Sequence, residues 1–253
     1  MNKDEVLKFI NDGANFYCRQ LGNATHMNFI DNGYYSMIYP IHGQVGGTSI
    51  FNIRLDHFSD AEVIQKVNEI KSKNVHTWWG ICLSDRLSDF IWGKDRPKLT
   101  PEEHENAEEL NMALLPEDEL EYCPPNNKII IKQVTTLDEF SIWTDICNLV
   151  LHNSFPIIHN INHFELNKNN IMTCYIGYMD GQPAAVSAIL NNDDVSSLEF
   201  VATLESYRYH GLARALCEKS VHDAFLNGSK IITTRAFKEA KNLYKSLGFK
   251  IYF

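Results

Sequence analysis

Apolar and polar residues follow two different periods along the chain, and one segment passes directly from the first period to the second. Over residues 198–203, Leu198, Phe200 and Ala202 alternate with Glu199, Val201 and Thr203 in a largely apolar run, which predicts a buried strand. From Gly211 onward the apolar residues recur at helical spacing, and this predicts a helix over about 210–227. A strand, a tight turn and a helix are therefore expected in immediate succession.

The same two periods predict the other elements. In the first half we expect an opening amphipathic helix that ends near Gly22, strands over 34–39 and 49–55, a helix capped by Ser59 or Asp60, a buried strand over 76–83 and a short helix over 87–92. In the second half we expect a strand over 128–134, a helix over 136–153, a connection over 155–170 and a hairpin over 172–190 that turns at Asp180-Gly181.

A polar section rich in Pro and Glu, residues 93–128, separates these two halves. It contains one strand candidate over 110–115. Residues 116–127 are predicted to be a linker, because their composition cannot bury enough apolar area to form a core. The chain is therefore expected to hold an N-terminal domain over 1–115 and a C-terminal domain over 128–253.

Charge and composition restrict the classes of partner. The formal net charge is −9, which argues against a general nucleic-acid binder because a phosphate backbone needs clustered Lys and Arg; the acidity mildly favours a cationic or amine-bearing substrate. Neither a membrane-length apolar run nor the apolar stretch of a signal peptide is present, so we expect no membrane association and a cytoplasmic location. Six scattered cysteines lack zinc-site spacing, which predicts reduced thiols and no metal.

The turn between the strand over 198–203 and the following helix has the chemistry of an anion site. It reads Arg208-x-x-Gly211-x-Ala213, and it places unpaired backbone N–H groups at a helix N-terminus. Gly211 lets a ligand approach the backbone, and Arg208, His210 and Arg214 add positive potential. The expected ligand is a diphosphate or another phosphorylated cofactor.

This turn resembles the acetyl-CoA signature of the GNAT superfamily of N-acetyltransferases, in which an Arg/Gln-x-x-Gly-x-Gly/Ala turn holds the cofactor pyrophosphate. Downstream, Ala240-x-x-Leu243-Tyr244-x-x-Leu247-Gly248-Phe249 resembles the second signature of the superfamily, in the expected order. The resemblance implies an α/β (α+β) GNAT acyl-CoA N-acyltransferase fold, with a mixed, twisted central sheet flanked by helices.

The first half resembles the same superfamily more distantly. The Trp78-Trp79 segment and the strand candidate before the linker are similar to the amino-terminal half of two-domain members. Neither signature is present there. The resemblance thus implies a tandem arrangement in which the N-terminal half is degenerate, has lost cofactor binding, and shapes the substrate cleft or covers the edge of the catalytic sheet.

The resemblance also implies a set of residues for acetyl-CoA. Backbone N–H groups from Tyr209 to Ala213 would bind the pyrophosphate, and the main chain of residues 201–203 would pair with the pantetheine arm. Phe237 stands where relatives often carry a small polar residue, so Lys241 or Asn242 would replace that contact. The candidate cofactor-binding residues are Val201, Ala202, Thr203, Arg208, Tyr209, His210, Gly211, Leu212, Ala213, Arg214, Lys241 and Asn242.

Two residues are candidates for the chemistry. Tyr244 occupies the position where many members place a tyrosine that protonates the leaving thiolate, although it also fits a core aromatic on an amphipathic helix. Glu199 is the candidate base, directly or through water, because burial can raise the pKa of a carboxyl; the alternative is a solvated surface glutamate. His159, His163 and Asp193 are weaker alternatives.

The sequence therefore predicts an N-acetyltransferase that moves an acetyl group from acetyl-CoA, its cosubstrate, to a primary amine of a small molecule or peptide within a ternary complex. Two alternatives stay open: transfer of another acyl or aminoacyl group, and a non-catalytic acetyl-CoA-binding sensor. We expect a monomer or homodimer with neither nucleic-acid nor membrane partners. The amine pocket is expected to use residues 155–170 and part of the first half.

Overall fold

The computed structural model describes residues 1–42, 47–81, 83–95, 99–122, 125, 128–152 and 160–253. Their first half begins with the predicted long helix, which has an Asn2 to Glu5 capping box. The elements of this half are α1 (Lys3–Gly22), β1 (Met27–Asp31), β2 (Ser36–Pro40), β3 (Ser49–Phe51), α2 (Asp60–Ser72), β4 (His76–Thr77), α3 (Asp85–Trp92), α4 (Pro101–Glu105) and β5 (Glu109–Leu114).

The second half follows the predicted order of elements. Thr136 and Glu139 form the expected capping box at the start of its first helix. The elements are β6 (Ile129–Gln133), α5 (Leu137–Leu151), α6 (Asn160–Lys168), β7 (Met172–Met179), β8 (Gln182–Asn192), β9 (Val195–Thr203), α7 (Leu212–Leu226), β10 (Ile231–Phe237), α8 (Lys241–Lys245) and β11 (Lys250–Tyr252). The Asp180-Gly181 turn joins β7 to β8, as its sequence predicts.

The described strands form a four-stranded and a seven-stranded mixed sheet. The smaller has the order β1-β2-β3-β4, and the larger has the order β11-β5-β10-β9-β8-β7-β6. Helices flank the larger sheet on both faces: apolar residues of α5 and α6 pack on β7 and β8, while α7 and α8 pack against β5, β9 and β10. The structure thus confirms a mixed sheet covered by helices.

One arrangement of elements occurs in both halves. In the second half an antiparallel run, β7-β8-β9, is followed by α7 and by β10, which lies parallel to β9. In the first half the antiparallel run β1-β2-β3 is followed by α2 and by β4, which lies parallel to β3. This repetition is the tandem arrangement that the resemblance implies.

Strand β5 crosses the expected boundary between the halves. It lies between β10 and β11 and pairs antiparallel with both, with Met112 opposite Thr234 on one side and Ile251 on the other. A domain that ends at residue 115 would therefore lose a strand of the C-terminal sheet, so the predicted boundary is corrected: residues 109–114 belong to that sheet. Hydrogen bonding to strands more than a hundred residues later determines this membership.

Two further segments differ from their predictions. The strand expected over 76–83 ends at Thr77, because Gly80 has φ +93° and Trp79 turns to pack edge-on against Trp92. The connection expected over 155–170 contains α6 in its described part. The buried face of α6 includes polar residues such as Asn167, whose side chain bonds to the backbone of Val134 and Cys174, so the apolar pattern does not reveal the helix.

Candidate active site

The predicted anion turn lies at the N-terminus of α7. Gly211 is its N-cap with φ +88°, and Tyr209 has φ +65°. A Cβ added at Gly211 would meet only Ile129 Cδ1 at 4.0 Å, so the space above this backbone is open. Within the described residues, the N–H groups from Tyr209 to Ala213 donate to no backbone carbonyl outside regular helix or strand bonding. The turn therefore offers donors to an anion at the positive end of the helix dipole.

Beside this turn, strands β9 and β10 separate. They pair in parallel only from Val195 opposite Ile231 to Ser197 opposite Thr233. Beyond Ser197 the edge of β9 that faces β10 pairs with no strand among the described residues, while its other edge stays paired to β8 as far as Thr203. Phe200, with φ +54°, lies at the irregularity in the β8–β9 register. An extended ligand can therefore add to β9 in the manner of an extra strand.

The separation of the strands opens a cleft of about 320 Å³. Glu199 and Tyr244, the two residues predicted to carry the chemistry, both line it, as does Val201. Its other lining residues are Glu109, Leu151, His152, Leu198, Phe200, Thr234, Arg235, Ala236, Phe237 and Ala240. The structure therefore brings the candidate acid and base together in the cleft that also exposes the free edge of β9.

Glu199 is partly buried within this cleft. Ser197 Oγ donates a hydrogen bond of 2.5 Å to Glu199 Oε1. Burial raises the pKa of Glu199 above its ordinary value, and the charge of Glu109 raises it further. Arg235 and the Ser197 hydrogen bond act in the opposite direction, because each stabilises the ionised form. A carboxyl in this environment can hold and release a proton closer to neutral pH than an exposed one.

Tyr244 is buried, with 5% of its surface exposed, and it packs edge-on against Phe249 at 5.6 Å between ring centroids. Burial raises the pKa of its phenol well above the ordinary value, and the charges of Cys217 and Glu199, when ionised, raise it further. A hydrogen bond with Thr234 lowers it in part. The phenol therefore stays protonated at neutral pH, and Tyr244 packs in the core while it also lines the cleft.

The basic side chains around the turn are already engaged with protein groups. Arg208 Nε donates to the carbonyl of Thr203 at 3.3 Å, and His210 Nδ1 lies 2.7 Å from the carbonyl oxygen of Arg208. Arg214 pairs with Glu218 at 2.8 Å and donates to Ser246 Oγ at 2.9 Å. These contacts hold positive charge beside the turn, while the backbone stays available.

The other candidate cofactor contacts differ in how accessible their side chains are to a ligand. Leu212 and Ala202 are both buried, which leaves only their main chain for a ligand, as the resemblance implies. Lys241 Nζ donates to the carbonyl of Glu105 at 2.6 Å, so a cofactor contact would have to compete with that bond. Asn242 is exposed, and Phe237 is 62% exposed.

The weaker alternatives for the base lie elsewhere or outside the described residues. His163 is buried on α6, where its Nε2 lies 2.7 Å from the hydroxyl oxygen of Tyr17. Asp193 is exposed in the β8–β9 turn and lines a separate polar groove. His159 falls outside the described residues.

Sequence reasoning missed the residues that the first half places beside the cleft. A Cβ added at Gly13 would lie 3.8 Å from Thr233 Oγ1 and 3.9 Å from Ser197 Cβ, so α1 packs directly on β9 and β10 where they separate. Tyr17 of α1 contacts Phe200 edge-on at 5.8 Å. These contacts join elements distant in sequence, and the small residue at the close approach was the one available signal.

At the corresponding place in the first half, side chains of α1 bind the backbone. After β3, Asn52 has φ +53°, much as Phe200 does after the start of β9. Here the backbone N–H of Asn52 donates to Asn15 Oδ1 at 3.0 Å, and the N–H of Ile81 donates to Asn11 Oδ1 at 3.2 Å. Two amide side chains of α1 therefore take the backbone donors that an added strand would need.

Among the described residues, no group of three or more His, Cys, Asp or Glu side chains is placed to hold a metal ion. Within the same ranges, every helix is too short or too polar to cross a bilayer.

Comparisons with known proteins agree with this geometry. Residues 138–249 match the model of the acetyltransferase (GNAT) family. A GCN5-related N-acetyltransferase from Kribbella flavida is similar in structure at a TM-score of 0.61 and 16% identity, over 94% of this chain and 90% of that one, which shows a shared fold across both halves. No curated protein matches the chain.

Other solved structures are similar over about half of the chain. A putative GNAT-family acetyltransferase from Novosphingobium aromaticivorans has a TM-score of 0.43 and 18% identity, over 56% of this chain and 59% of that one. A predicted acetyltransferase with acetyl-CoA from Clostridium acetobutylicum has a TM-score of 0.42 and 20% identity, over 48% and 90%. Both scores are too low to carry weight. The family match identifies residues 138–249 of this chain as an acetyltransferase (GNAT) domain.

Proposed function

We propose that this chain transfers an acetyl group from acetyl-CoA to a primary amine of a small molecule or peptide, with both substrates bound in the cleft between β9 and β10. The observation that carries the proposal is the convergence of three features: the open N–H groups of the turn, the unpaired edge of β9, and the Glu199 and Tyr244 side chains in one cleft. The N–H groups can bind an anion, the edge of β9 can pair with an extended amide-containing arm, and the two side chains can act on a reacting group. Acetyl-CoA carries these three parts in the same order.

The residues of the turn and strand would hold acetyl-CoA. Backbone N–H groups from Tyr209 to Ala213 would bind its pyrophosphate, with Arg208, His210 and Arg214 supplying positive potential. The main chain of Val201, Ala202 and Thr203 would pair with the pantetheine arm. When bound, acetyl-CoA supplies an activated acetyl group as a thioester, whose C–S bond breaks as the new C–N bond forms.

Glu199 would then accept one proton, and Tyr244 would donate another. A primary amine is largely protonated near neutral pH, and Glu199 removes a proton, directly or through water, so that the nitrogen lone pair becomes available. Tyr244 donates its phenolic proton to the departing sulfur. The nitrogen loses its second proton as the amide forms, and this proton balances the one that Tyr244 gave to sulfur. Burial disfavours the phenolate, so Tyr244 is protonated again before the next cycle.

The test uses the full chain with acetyl-CoA and a library of primary amines, polyamines, aminoglycosides and peptides with free amino groups. Thiol release is followed with a chromogenic thiol reagent, and the acetylated product is identified by mass spectrometry. Calorimetry with acetyl-CoA measures binding separately. We expect binding in the wild-type chain and turnover with at least one amine class.

Two conservative variants examine the assigned roles. Glu199→Gln and Tyr244→Phe are each expected to bind acetyl-CoA normally and to lower kcat, on the order of 10²-fold or more for a positioned acid or base. Normal acetyl-CoA binding without turnover by any amine would favour the sensor alternative. Turnover with longer acyl or aminoacyl donors alone would favour the acyltransferase alternative, and absence of binding would refute the cofactor assignment.

A further inference from the structure

An ion pair joins the two halves of the chain at the rim of the cleft. Arg235 on β10 has its Nη1 atom 3.4 Å from Glu109 Oε1 on β5. The guanidinium carbon of Arg235 also lies 4.5 Å from the ring centroid of Trp78, at cation–π distance. Arg235 and Glu109 both line the cleft that holds Glu199. Glu109 and Trp78 come from the half of the chain that lacks the cofactor signatures.

Among the described residues, Glu199 has one charged neighbour of each sign, Arg235 and Glu109. The other titratable or hydrogen-bonding groups near it are Tyr17 and Cys18 from α1, Ser197 from its own strand, Tyr244 from α8, and His152 after α5 on the same cleft. The tyrosines and Cys18 stay neutral near pH 7, since burial raises the pKa of each. Arg235 and Glu109 therefore supply the fixed charges.

These two charges act on Glu199 in opposite directions. The positively charged guanidinium of Arg235 favours the carboxylate form of Glu199. Glu109 disfavours that form directly, and it also holds the guanidinium through the ion pair. The stacking of Trp78 restricts the guanidinium further. A general base must be ionised, and it must also be basic enough to take a proton from the substrate. The opposing charges of Arg235 and Glu109 together determine whether Glu199 meets both conditions.

We propose that Arg235 is a positioning residue for acetyl transfer. Glu109 of β5 and Trp78, which both precede the linker in sequence, hold Arg235 beside Glu199, so that the first half of the chain tunes the catalytic base. This inference rests on the proposed role of Glu199. It assigns to the first half a contribution to the chemistry in addition to its contribution to the sheet.

The kinetic test compares the pH profiles of kcat/KM for Arg235→Gln and Glu109→Gln. Loss of the positive charge is expected to move the acidic limb to higher pH, and loss of the negative charge is expected to move it to lower pH. On that limb each pH unit of displacement changes the rate about tenfold. The amine substrate titrates equally in all variants, so the difference between profiles reports on the enzyme. Displacement of both variants in the same direction, or of neither, would overturn the inference.

Matched controls separate charge from folding. Arg235→Lys keeps the positive charge and is expected to keep the limb near its wild-type position, which a purely structural role of the guanidinium would not produce. Lys230→Gln and Asp194→Asn break an exposed ion pair at the opposite end of the paired segment, with side chains 70% and 61% exposed. They make the same charge changes and are expected to leave the limb in place. A displaced limb in these controls would show a general charge effect and would contradict the inference.

A second measurement tests the inference without turnover. Glutamate labelled with ¹³C at its side-chain carboxyl allows the titration of Glu199 to be followed by NMR, with Glu199→Gln providing the assignment. Arg235→Gln is expected to raise the titration midpoint and Glu109→Gln to lower it. Midpoints that shift in an inactive protein would refute the proposed function and keep the electrostatic inference, whereas unshifted midpoints in an active enzyme would refute the inference alone.

Discussion

Strand β5 makes the second half of the chain dependent on the first, and this dependence can be measured by dividing the chain. We expect a fragment of residues 128–253 to fail to fold cooperatively. Removal of residues 1–127 deletes β5 from between β10 and β11 and leaves β11 without the strand that pairs with it. It also exposes the edge of β10 over the six residue pairs from Ile232 to Phe237.

The magnitude follows from the burial of three side chains. Leu110, Met112 and Leu114 are 1%, 0% and 1% exposed in the core that β5 shares with α7 and α8. Burial of a large apolar side chain contributes about 1.5–3 kcal/mol, so the three together contribute roughly 5–9 kcal/mol. A typical domain has a net free energy of unfolding of about 5–15 kcal/mol. Loss of β5 therefore removes most or all of the stability, before the loss of α1 is considered.

The assay uses circular dichroism, thermal unfolding and size exclusion on three samples: the full chain, fragment 128–253 alone, and fragment 128–253 co-expressed with fragment 1–127. The full chain is expected to unfold cooperatively, the single fragment to be unfolded or aggregated, and the co-expressed fragments to copurify as a folded pair. Met112→Ala in the full chain is a milder perturbation, with an expected loss of about 2–5 kcal/mol. A monomeric fragment 128–253 that unfolds cooperatively and binds acetyl-CoA as the full chain does would refute the reasoning.

Three further outcomes are expected. Gly211→Val and Gly228→Val place a branched side chain at φ +88° and +99°, at the two ends of α7. Both variants are therefore expected to lower the free energy of unfolding by about 1–2 kcal/mol or more. Calorimetry should show loss of acetyl-CoA binding for Gly211→Val alone. Glu199 has a raised pKa in the folded state, so its contribution to stability is full below its ordinary pKa of 4.5 and is lost as pH rises through the folded value. The melting temperature of Glu199→Gln minus that of the wild type should therefore be larger at pH 8 than at pH 4. An equal difference at both pH values would contradict burial as the cause. Thr203 Oγ1 is buried without a hydrogen-bond partner among the described residues, so Thr203→Val is expected to stabilise the protein by about 1–3 kcal/mol in thermal unfolding, and a lower melting temperature would show that the hydroxyl is needed.

Local patterns predicted the parts of the fold that local chemistry determines. The Thr136 to Glu139 capping box, the Asp180-Gly181 hairpin and the glycine that begins α7 are each produced by residues within a few positions of one another. The convergence of Glu199 and Tyr244 in one cleft was also implied, although through the resemblance of two motifs rather than through spacing. Their roles in catalysis stay predictions.

Long-range pairing explains what the sequence could not reveal. The alternation around Met112 predicts a strand but does not specify its partner, and the partner proved to be in the other half. Arg235 and Glu109 are ordinary charged residues in sequence, and they meet only because β5 lies beside β10. The apolar run that contains Trp78 resembles a buried strand, but the indole packs on a guanidinium instead. In each case the decisive contact joins residues more than a hundred positions apart.

The position of β5 also affects the order of events during synthesis. Residues 109–114 leave the ribosome roughly 120 residues before their hydrogen-bonding partners at 231–237 are made. At translation rates of about 5–20 residues per second, that interval is roughly 6–24 s. For that time the apolar strand has no native neighbour on either edge, and it must be shielded by nascent-chain contacts or by chaperones. The strand that later completes the seven-stranded sheet is thus exposed to aggregation while the chain is being made.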